Sequence, residues 1–171
     1  MDRHPGGEAN TRRMIELSGL EAPAAWLDMG AGAGDTVRLL RSLGYKAEGV
    51  DLEPRGENIA AADYLAAPYA DGSFDGIISQ CSFYLSGNVP QAVKEAARML
   101  KKGGVLALAD LSADSESLIS ALQKSRFAIR YMEDMTAQWK EYYLEALWRD
   151  ESGCIPRGKG LKYLLLICER L

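Results

Sequence analysis

The sequence predicts an α/β fold in which a doubly wound sheet is covered by helices on both faces. Helix-like and strand-like stretches alternate along the chain, and the first strand-like stretch is followed by a glycine turn that opens a helix. Strands that alternate with helices favour a parallel sheet, because each crossover connection lays a helix against one face of the sheet. The length of 171 residues favours one domain.

Apolar spacing along the chain predicts the individual elements. The predicted helices are 9–19, 35–43, 90–100, 114–124 and 134–149. The predicted strands are 24–29, 46–51, 59–63, 74–79, 105–110, 126–131 and 162–169. In the second helix, Asp35 or Thr36 is expected near the N-terminal cap, and Gly44 follows its end.

Two of the predicted helices carry a distinct apolar face. The helix from Pro90 ends at "KKGG", which puts Lys101 and Lys102 at its negative end. Its apolar face consists of Ala92, Val93, Ala96, Ala97 and Leu100. The helix 134–149 has a stripe of large residues that we expect in the core rather than around a ligand. This stripe consists of Met135, Trp139, Tyr142, Tyr143 and Ala146.

The connection between strands 2 and 3 is unusually short. Only "LEPRGEN" separates the second strand from "IAAAD" at 59–63, whereas a parallel crossover usually needs about a dozen residues or more. One interpretation, which we favour, is a shortened crossover without a helix. In the other, "NIAAADYLA" is itself helical and one edge strand is missing.

Composition limits the classes of partner. The 20 basic and 24 acidic residues give a formal net charge of −4 without a long basic run, which argues against a nucleic-acid partner. Cys81, Cys154 and Cys168 are widely spaced and His4 is the only histidine, so we expect neither a disulfide framework nor a metal site. A polar N-terminus and the lack of a long apolar run predict a cytoplasmic protein without a membrane segment. The oligomeric state stays open.

The stretch "WLDMGAGAGDT" predicts a ligand site. Gly30, Gly32 and Gly34 follow the first strand, and a glycine turn that opens a helix brings backbone N–H groups to the positive end of that helix. The dinucleotide pattern G-x-G-x-x-G would need its third glycine at position 35, which is Asp35. An NAD-dependent oxidoreductase is therefore disfavoured.

At this turn the chain resembles the class I S-adenosylmethionine-dependent methyltransferases, and in particular the small bacterial ones of the methyltransferase-type-11 kind. The segments "LDMGAGAG", "GVDLEP", "ADYLAAPYADGSFDGIIS" and "AARMLKKGGVLALADL" look like four motifs of that family in order, over about residues 24–111. The resemblance implies a Rossmann-like sheet, mostly parallel with an antiparallel last strand. It also implies an N-terminal lid or helix (1–20), a cofactor-binding core (24–111) and a C-terminal substrate-side half (112–171).

The resemblance implies S-adenosylmethionine as the cofactor and assigns residues to it. Asp51 would hold the ribose hydroxyls, Asp63 the adenine amine, and Leu52 and Tyr64 the faces of the adenine ring. Asp28 would either accept N–H groups of the glycine turn or face the cofactor's ammonium, and the backbone of the turn would take the methionine end. The predicted cofactor-binding residues are Asp28, Gly30, Ala31, Gly32, Asp51, Leu52, Asp63, Tyr64 and Gln80.

The acceptor should lie beyond the carboxyl ends of the fourth and fifth strands. Cys81, Tyr84 and Asp110 are the substrate candidates, with Phe83 as a further wall and Gln80 near the methyl donor. Alternatively, Cys81 is a small buried residue and Asp110 a strand-end cap. Because methyl transfer depends on alignment of a reactive cofactor, we predict no catalytic residue.

"HPGG" precedes the first helix and is shared by a small bacterial subgroup that looks similar. In this fold such an N-terminal segment often covers the cofactor as a lid. We predict S-adenosylmethionine-dependent methyl transfer to a small-molecule acceptor. The alternative is a catalytically degenerate S-adenosylmethionine-binding module that acts through a protein partner.

Overall fold

The structure is a computed structural model that describes residues 4–148 and 160–171, except the side chains of 146 and 147. Its helices are α1 (Gly7–Ser18), α2 (Asp35–Ser42), α3 (Val89–Met99), α4 (Ser115–Lys124) and α5 (Thr136–Trp148). Its strands are β1 (Ala25–Met29), β2 (Lys46–Asp51), β3 (Ile59–Ala61), β4 (Phe74–Gln80), β5 (Leu100–Ser112), β6 (Phe127–Asp134) and β7 (Lys162–Arg170). Within these residues, no helix combines the length and the apolar character that crossing a bilayer requires.

The strands form one sheet in the order β3-β2-β1-β4-β5-β7-β6. β7 runs antiparallel to β5 and β6, and the other neighbouring strands pair in parallel. The predicted Rossmann-like sheet with an antiparallel last strand is therefore confirmed. The strand order reverses between β1 and β4, and such a reversal opens a crevice at the carboxyl ends of the two strands. We call the space at the carboxyl ends of β1, β2 and β4 the crevice.

The shortened crossover is also confirmed, and the helical alternative for 58–66 is wrong. β3 pairs in parallel with β2 from Gly49–Ile59 to Asp51–Ala61. The connection packs directly on the glycine turn, because the Arg55 N–H donates to the Gly32 carbonyl at 2.8 Å. A side chain at Gly56 would overlap the Ala33 carbonyl. The connection therefore lies against the glycine turn, without a crossover helix.

Two apolar layers bury the faces of the sheet. α3 and α4 cover one face, while α1, α2 and α5 lie against the other. In the second layer Met135 and Trp139 are buried, and Tyr143 packs against them partly buried. The core packing predicted for this stripe is confirmed at these positions, and the side chain of Ala146 lies outside the described residues.

Two helix ends differ from the predictions. α2 is capped by Gly34 in the left-handed region (φ 78°), so the assignment of the cap to Asp35 or Thr36 is wrong. Asp35 instead forms an ion pair with Arg38 in the first turn. "KKGG" belongs to β5, since Leu100 already pairs with Phe74 before a register shift.

Arg98 on α3 anchors the segment between β3 and β4. Its guanidinium donates to the carbonyls of Tyr69 at 2.6 Å and Ala67 at 3.0 Å. It also forms ion pairs with Glu95 at 2.8 Å and Asp71 at 2.9 Å. These carboxylates raise the pKa of Arg98. The segment that follows β3 is thereby fixed to the helical layer.

We expect Arg98→Ala to lower the free energy of unfolding by about 3 kcal/mol, because it leaves the largely buried Glu95 and two carbonyls without their donor. Lys94→Ala is the matched control on the same helix, since Lys94 is exposed, and it should change the value by less than about 0.5 kcal/mol. Urea unfolding followed by circular dichroism measures both. Equal losses in the two variants would contradict the anchoring role.

Candidate active site

The glycine turn brings the ends of β1 and β4 together. Gly30, Gly32 and Gly34 have φ of 87°, 51° and 78°, in the left-handed region that favours glycine. A Cβ on Gly30 would overlap the side chain of Ser82, which follows β4. The absence of a side chain at Gly30 thus lets the segment after β4 pack onto the turn.

The N–H groups of the turn are bonded inside the protein. Gly30 and Ala31 both donate to the Val50 carbonyl, at 2.9 and 3.2 Å. Gly32 donates to Asp51 Oδ2 at 2.8 Å. A ligand carboxylate would have to compete with these acceptors, so the turn does not offer the open anion site that the sequence suggested.

Asp51 is held in the crevice at the end of β2. Its two carboxylate oxygens accept from the N–H groups of Gly32 at 2.8 Å and Glu53 at 2.9 Å. Each oxygen retains a further lone pair for a hydroxyl donor. Leu52 beside it is 70% exposed, which leaves an apolar surface next to a fixed carboxylate.

Asp28 is a buried carboxyl without a donor. It is 4% exposed, and within the described part of the chain no group donates a hydrogen bond to it. The suggestion that it accepts N–H groups of the turn is therefore wrong. Burial, followed by the negative charges of Asp51 and Asp35, raises the pKa of Asp28 to about 7. A nearby cation would stabilise its ionised form.

Asp63 and Tyr64 follow β3 and lie in different environments. Asp63 is exposed, and its Oδ1 accepts from the Leu65 N–H at 2.8 Å. Tyr64 is 8% exposed and its hydroxyl donates to the Ser82 carbonyl at 2.8 Å. Its ring packs in the core beside Phe83, so little of Tyr64 is left to cover an adenine ring.

Asp110 clamps the segment after β4. Its Oδ2 accepts from the N–H groups of Ser82 at 3.0 Å and Tyr84 at 3.2 Å, and its Oδ1 accepts from Leu111 at 2.7 Å. Burial raises the pKa of Asp110 to about 6 against the opposing effect of these donors. These three donors fit a strand-end cap, and the role of Asp110 toward a substrate stays a prediction.

Cys81 packs toward the core of α1, α2 and α5. Its φ is 53° and its Sγ lies 3.5 Å from the Tyr163 hydroxyl. Burial, reinforced by the charge of Asp110, raises the pKa of Cys81 to about 12. The thiol is therefore neutral at physiological pH, which suits the packing interpretation and not a nucleophile.

A cavity of about 420 Å³ opens beside Asp110 at the carboxyl end of β5. Its walls come from β5, the segment after β4, and the facing ends of α3 and α4. Tyr84 and Asp110, both substrate candidates, border it. Its apolar walls include Phe83, Val89, Pro90, Leu108, Leu111 and Leu118.

Gln80 ends β4 at the crevice and contacts α1. Its Nε2 donates to the Thr11 hydroxyl at 3.0 Å. Thr11 and Ser82 were not singled out in the sequence, since neither belongs to a motif and each contact joins residues far apart in the chain. "HPGG" and Gln80 itself were the sequence signals in this region.

The chain is similar in sequence to known methyltransferases. Residues 27–108 match the family described as "Methyltransferase domain". The malonyl-[acyl-carrier protein] O-methyltransferase of Enterobacter lignolyticus is 33% identical over 52% of this chain and 39% of its own. The sarcosine/dimethylglycine N-methyltransferase of Halorhodospira halochloris is 32% identical over 64% of this chain and 47% of its own. The chain spans about half the length of the curated relatives it matches.

Solved structures share the fold at low identity. The [4+2]-cyclase SpnF has a TM-score of 0.76 at 19% identity and covers 98% of this chain and 84% of its own. A phosphoethanolamine N-methyltransferase of Haemonchus contortus has a TM-score of 0.79 at 18% identity, over 98% of this chain and 53% of its own.

The strand order is that of a Rossmann-like fold, and the acid-and-glycine turn follows its first strand. Over residues 27–108 the chain matches the methyltransferase-domain family, and it is similar to the class I S-adenosylmethionine-dependent methyltransferases, whose cofactor is S-adenosylmethionine.

Asp28→Asn should stabilise the fold at neutral and alkaline pH. The pKa of Asp28 is raised from 3.8 to about 7 in the fold, so the stability linked to its protonation is complete below about pH 4 and lost as pH rises to 7. The neutral amide avoids that loss. At pH 8 we expect a gain of up to about 4 kcal/mol, which shrinks toward pH 4.

Urea unfolding at pH 4, 6 and 8 measures this gain. Glu48→Gln, which neutralises an exposed acid of β2, is the control and should stay within about 0.5 kcal/mol at each pH. A gain that does not depend on pH would contradict the assigned protonation of Asp28.

Proposed function

We propose that this protein transfers a methyl group from S-adenosylmethionine to a small-molecule acceptor. The observation that carries the proposal is the arrangement of Asp28, Gly30 and Asp51 around the crevice. Gly30 lets Ser82 pack onto the turn, Asp51 is oriented by two N–H donors, and Asp28 is buried without one. These features fit a ligand with two vicinal hydroxyls and an ammonium group. When bound, the cofactor supplies an electrophilic methyl group on sulfur.

The residues of the crevice divide the work of binding. Asp51 accepts from the ribose hydroxyls, and the exposed side chain of Leu52 covers one face of the adenine. Asp63 keeps one carboxylate oxygen for the adenine amine, as its other oxygen accepts from Leu65. Asp28 balances the ammonium, which favours the ionised carboxylate. Gln80 then faces the methyl donor.

The acceptor is small and largely apolar. The cavity of about 420 Å³ beside Tyr84 contains no basic side chain among the described lining residues. Its two carboxylates, Asp110 and Asp114, both accept backbone N–H groups. Relatives named for small substrates, such as the demethylmenaquinone methyltransferase of Thermus thermophilus, support this class of acceptor.

The acceptor also brings its own nucleophile. The Cys81 thiol is protonated, and the Asp110 carboxylate is held by three N–H groups. Neither is arranged to remove a proton from a substrate. Positioning and exclusion of water are therefore the contributions of these residues.

Asp51→Asn should weaken binding of S-adenosylhomocysteine about 10- to 100-fold, because one hydrogen bond to a charged acceptor is worth roughly 1.5–3 kcal/mol. Isothermal titration calorimetry measures the dissociation constant. Glu48→Gln makes the same change of acid to amide on the same strand, away from the crevice, and should bind like the unaltered protein. Failure of the unaltered protein to bind either S-adenosylmethionine or S-adenosylhomocysteine would refute the proposed function.

Turnover separates an enzyme from a binding module. We expect methyl transfer from radiolabelled S-adenosylmethionine to at least one compound in a panel of small apolar thiols, amines and phenols. Compounds bearing phosphates should be inactive, since no basic side chain occurs among the described residues that line the cavity. Tight cofactor binding without transfer to any compound would favour the module that acts through a protein partner.

A further inference from the structure

The "HPGG" segment forms a turn that requires both of its glycines. Gly6 and Gly7 have φ of 76° and 50°. The Gly7 N–H donates to the His4 carbonyl at 3.1 Å, and the Asn10 N–H to the Gly6 carbonyl at 3.0 Å. A Cβ on Gly6 would lie 2.8 Å from Asn10 Cβ. The turn at residues 4–7 thereby folds His4 back along α1.

The imidazole of His4 reaches the residue that ends β4. His4 Nε2 lies 3.4 Å from Gln80 Nε2 and 3.4 Å from Thr11 Oγ1. Thr11 is 2% exposed, whereas His4 and Gln80 are half-buried. This three-residue cluster connects the start of α1 to the edge of the crevice.

The cluster matters for the orientation of the Gln80 amide. Thr11 Oγ1 lies 3.0 Å from Gln80 Nε2 and 3.1 Å from Gln80 Oε1. A hydroxyl both donates and accepts, so Thr11 alone does not select one orientation of the amide. His4 meets the amide at Nε2, and a ring nitrogen that accepts there favours the orientation with the amide nitrogen toward α1.

Attachment of α1 to the sheet does not depend on His4. Met14 and Ile15 of α1 are buried in the core. Arg13 donates to the Tyr131 hydroxyl at 2.8 Å and pairs with Glu133 at 2.5 Å, which fixes α1 to β6. The imidazole itself is half-buried at the rim of a cavity of about 430 Å³ between the first turns of α1 and α2.

We propose that His4 is a positioning residue that fixes the Gln80 amide at the crevice, and that the turn at residues 4–7 serves to place it there. The inference rests on the proposed function, because it concerns the side of the crevice assigned to the methyl donor. It gives the "HPGG" segment a role in cofactor binding.

The test uses the fact that His4 is the only histidine of the chain. Its imidazole C–H signals are therefore the only histidine signals in a proton NMR spectrum. We expect saturating S-adenosylhomocysteine to shift these signals in the unaltered protein. The shift should be largely lost in Gln80→Leu, provided that calorimetry shows the variant saturated with ligand.

Calorimetry measures how much each variant changes the affinity for S-adenosylhomocysteine. His4→Ala should weaken S-adenosylhomocysteine binding about tenfold, with a melting temperature close to that of the unaltered protein, and His4→Gln should recover most of the affinity. Gly6→Ala should weaken binding to a similar extent, and combining it with His4→Ala should add little further loss. Glu8→Gln, an exposed residue on the same cavity, is the control and should bind normally.

The outcomes separate the two proposals. If the unaltered protein does not bind S-adenosylhomocysteine, the proposed function fails. If it binds and Asp51→Asn weakens binding, but His4→Ala binds normally and the histidine signals do not move, the role of His4 is refuted alone. The role of His4 is also refuted if His4→Ala and Glu8→Gln lose affinity for S-adenosylhomocysteine equally and His4→Gln does not recover it.

Discussion

The close approach of Ser82 to Gly30 is the contact on which the rest of the site depends. A side chain at position 30 would overlap Ser82 and push the segment after β4 away from the glycine turn. The Asp110 carboxylate accepts hydrogen bonds from two N–H groups of this segment. The Tyr64 hydroxyl donates to the Ser82 carbonyl of the same segment. The absence of a Cβ at Gly30 therefore allows the ends of β1, β4 and β5 and the segment after β3 to pack together at the crevice.

The two buried aspartates of the site show how a structural carboxyl differs from one that awaits a ligand. Both lose hydration, and burial raises the pKa of each. Asp110 recovers interaction energy from three N–H donors, whereas Asp28 has none within the described residues. A buried charge without a partner destabilises a fold. The buried Asp28 carboxyl, which has neither a hydrogen-bond donor nor a cation beside it within the described residues, is therefore the strongest physical argument for a cationic ligand group in the crevice.

Alternation of helix and strand was enough to predict a parallel α/β sheet, because each pattern depends on neighbours within one element. The antiparallel last strand was implied only by the family resemblance. The short crossover before Ile59 also followed from chain length alone. The prediction for the N-terminal cap of α2 was wrong, because Gly34 takes the cap position in the left-handed region and Asp35 lies inside the first turn. The contacts of Ser82 and the burial of Tyr64 could not be predicted, because they depend on how the ends of separate strands meet.

The acceptor side shows why the fold leaves the chemistry open. A [4+2]-cyclase shares this architecture with a TM-score of 0.76, so the sheet and its crevice do not determine the reaction. The local chemistry is more restrictive: the Cys81 thiol is neutral and the Asp110 carboxylate is already engaged. An apolar cavity beside these two groups fits our proposal that acceptors are selected by shape and by their intrinsic nucleophilicity. On this proposal, the identity of the acceptor depends on what fits between α3, α4 and the end of β5.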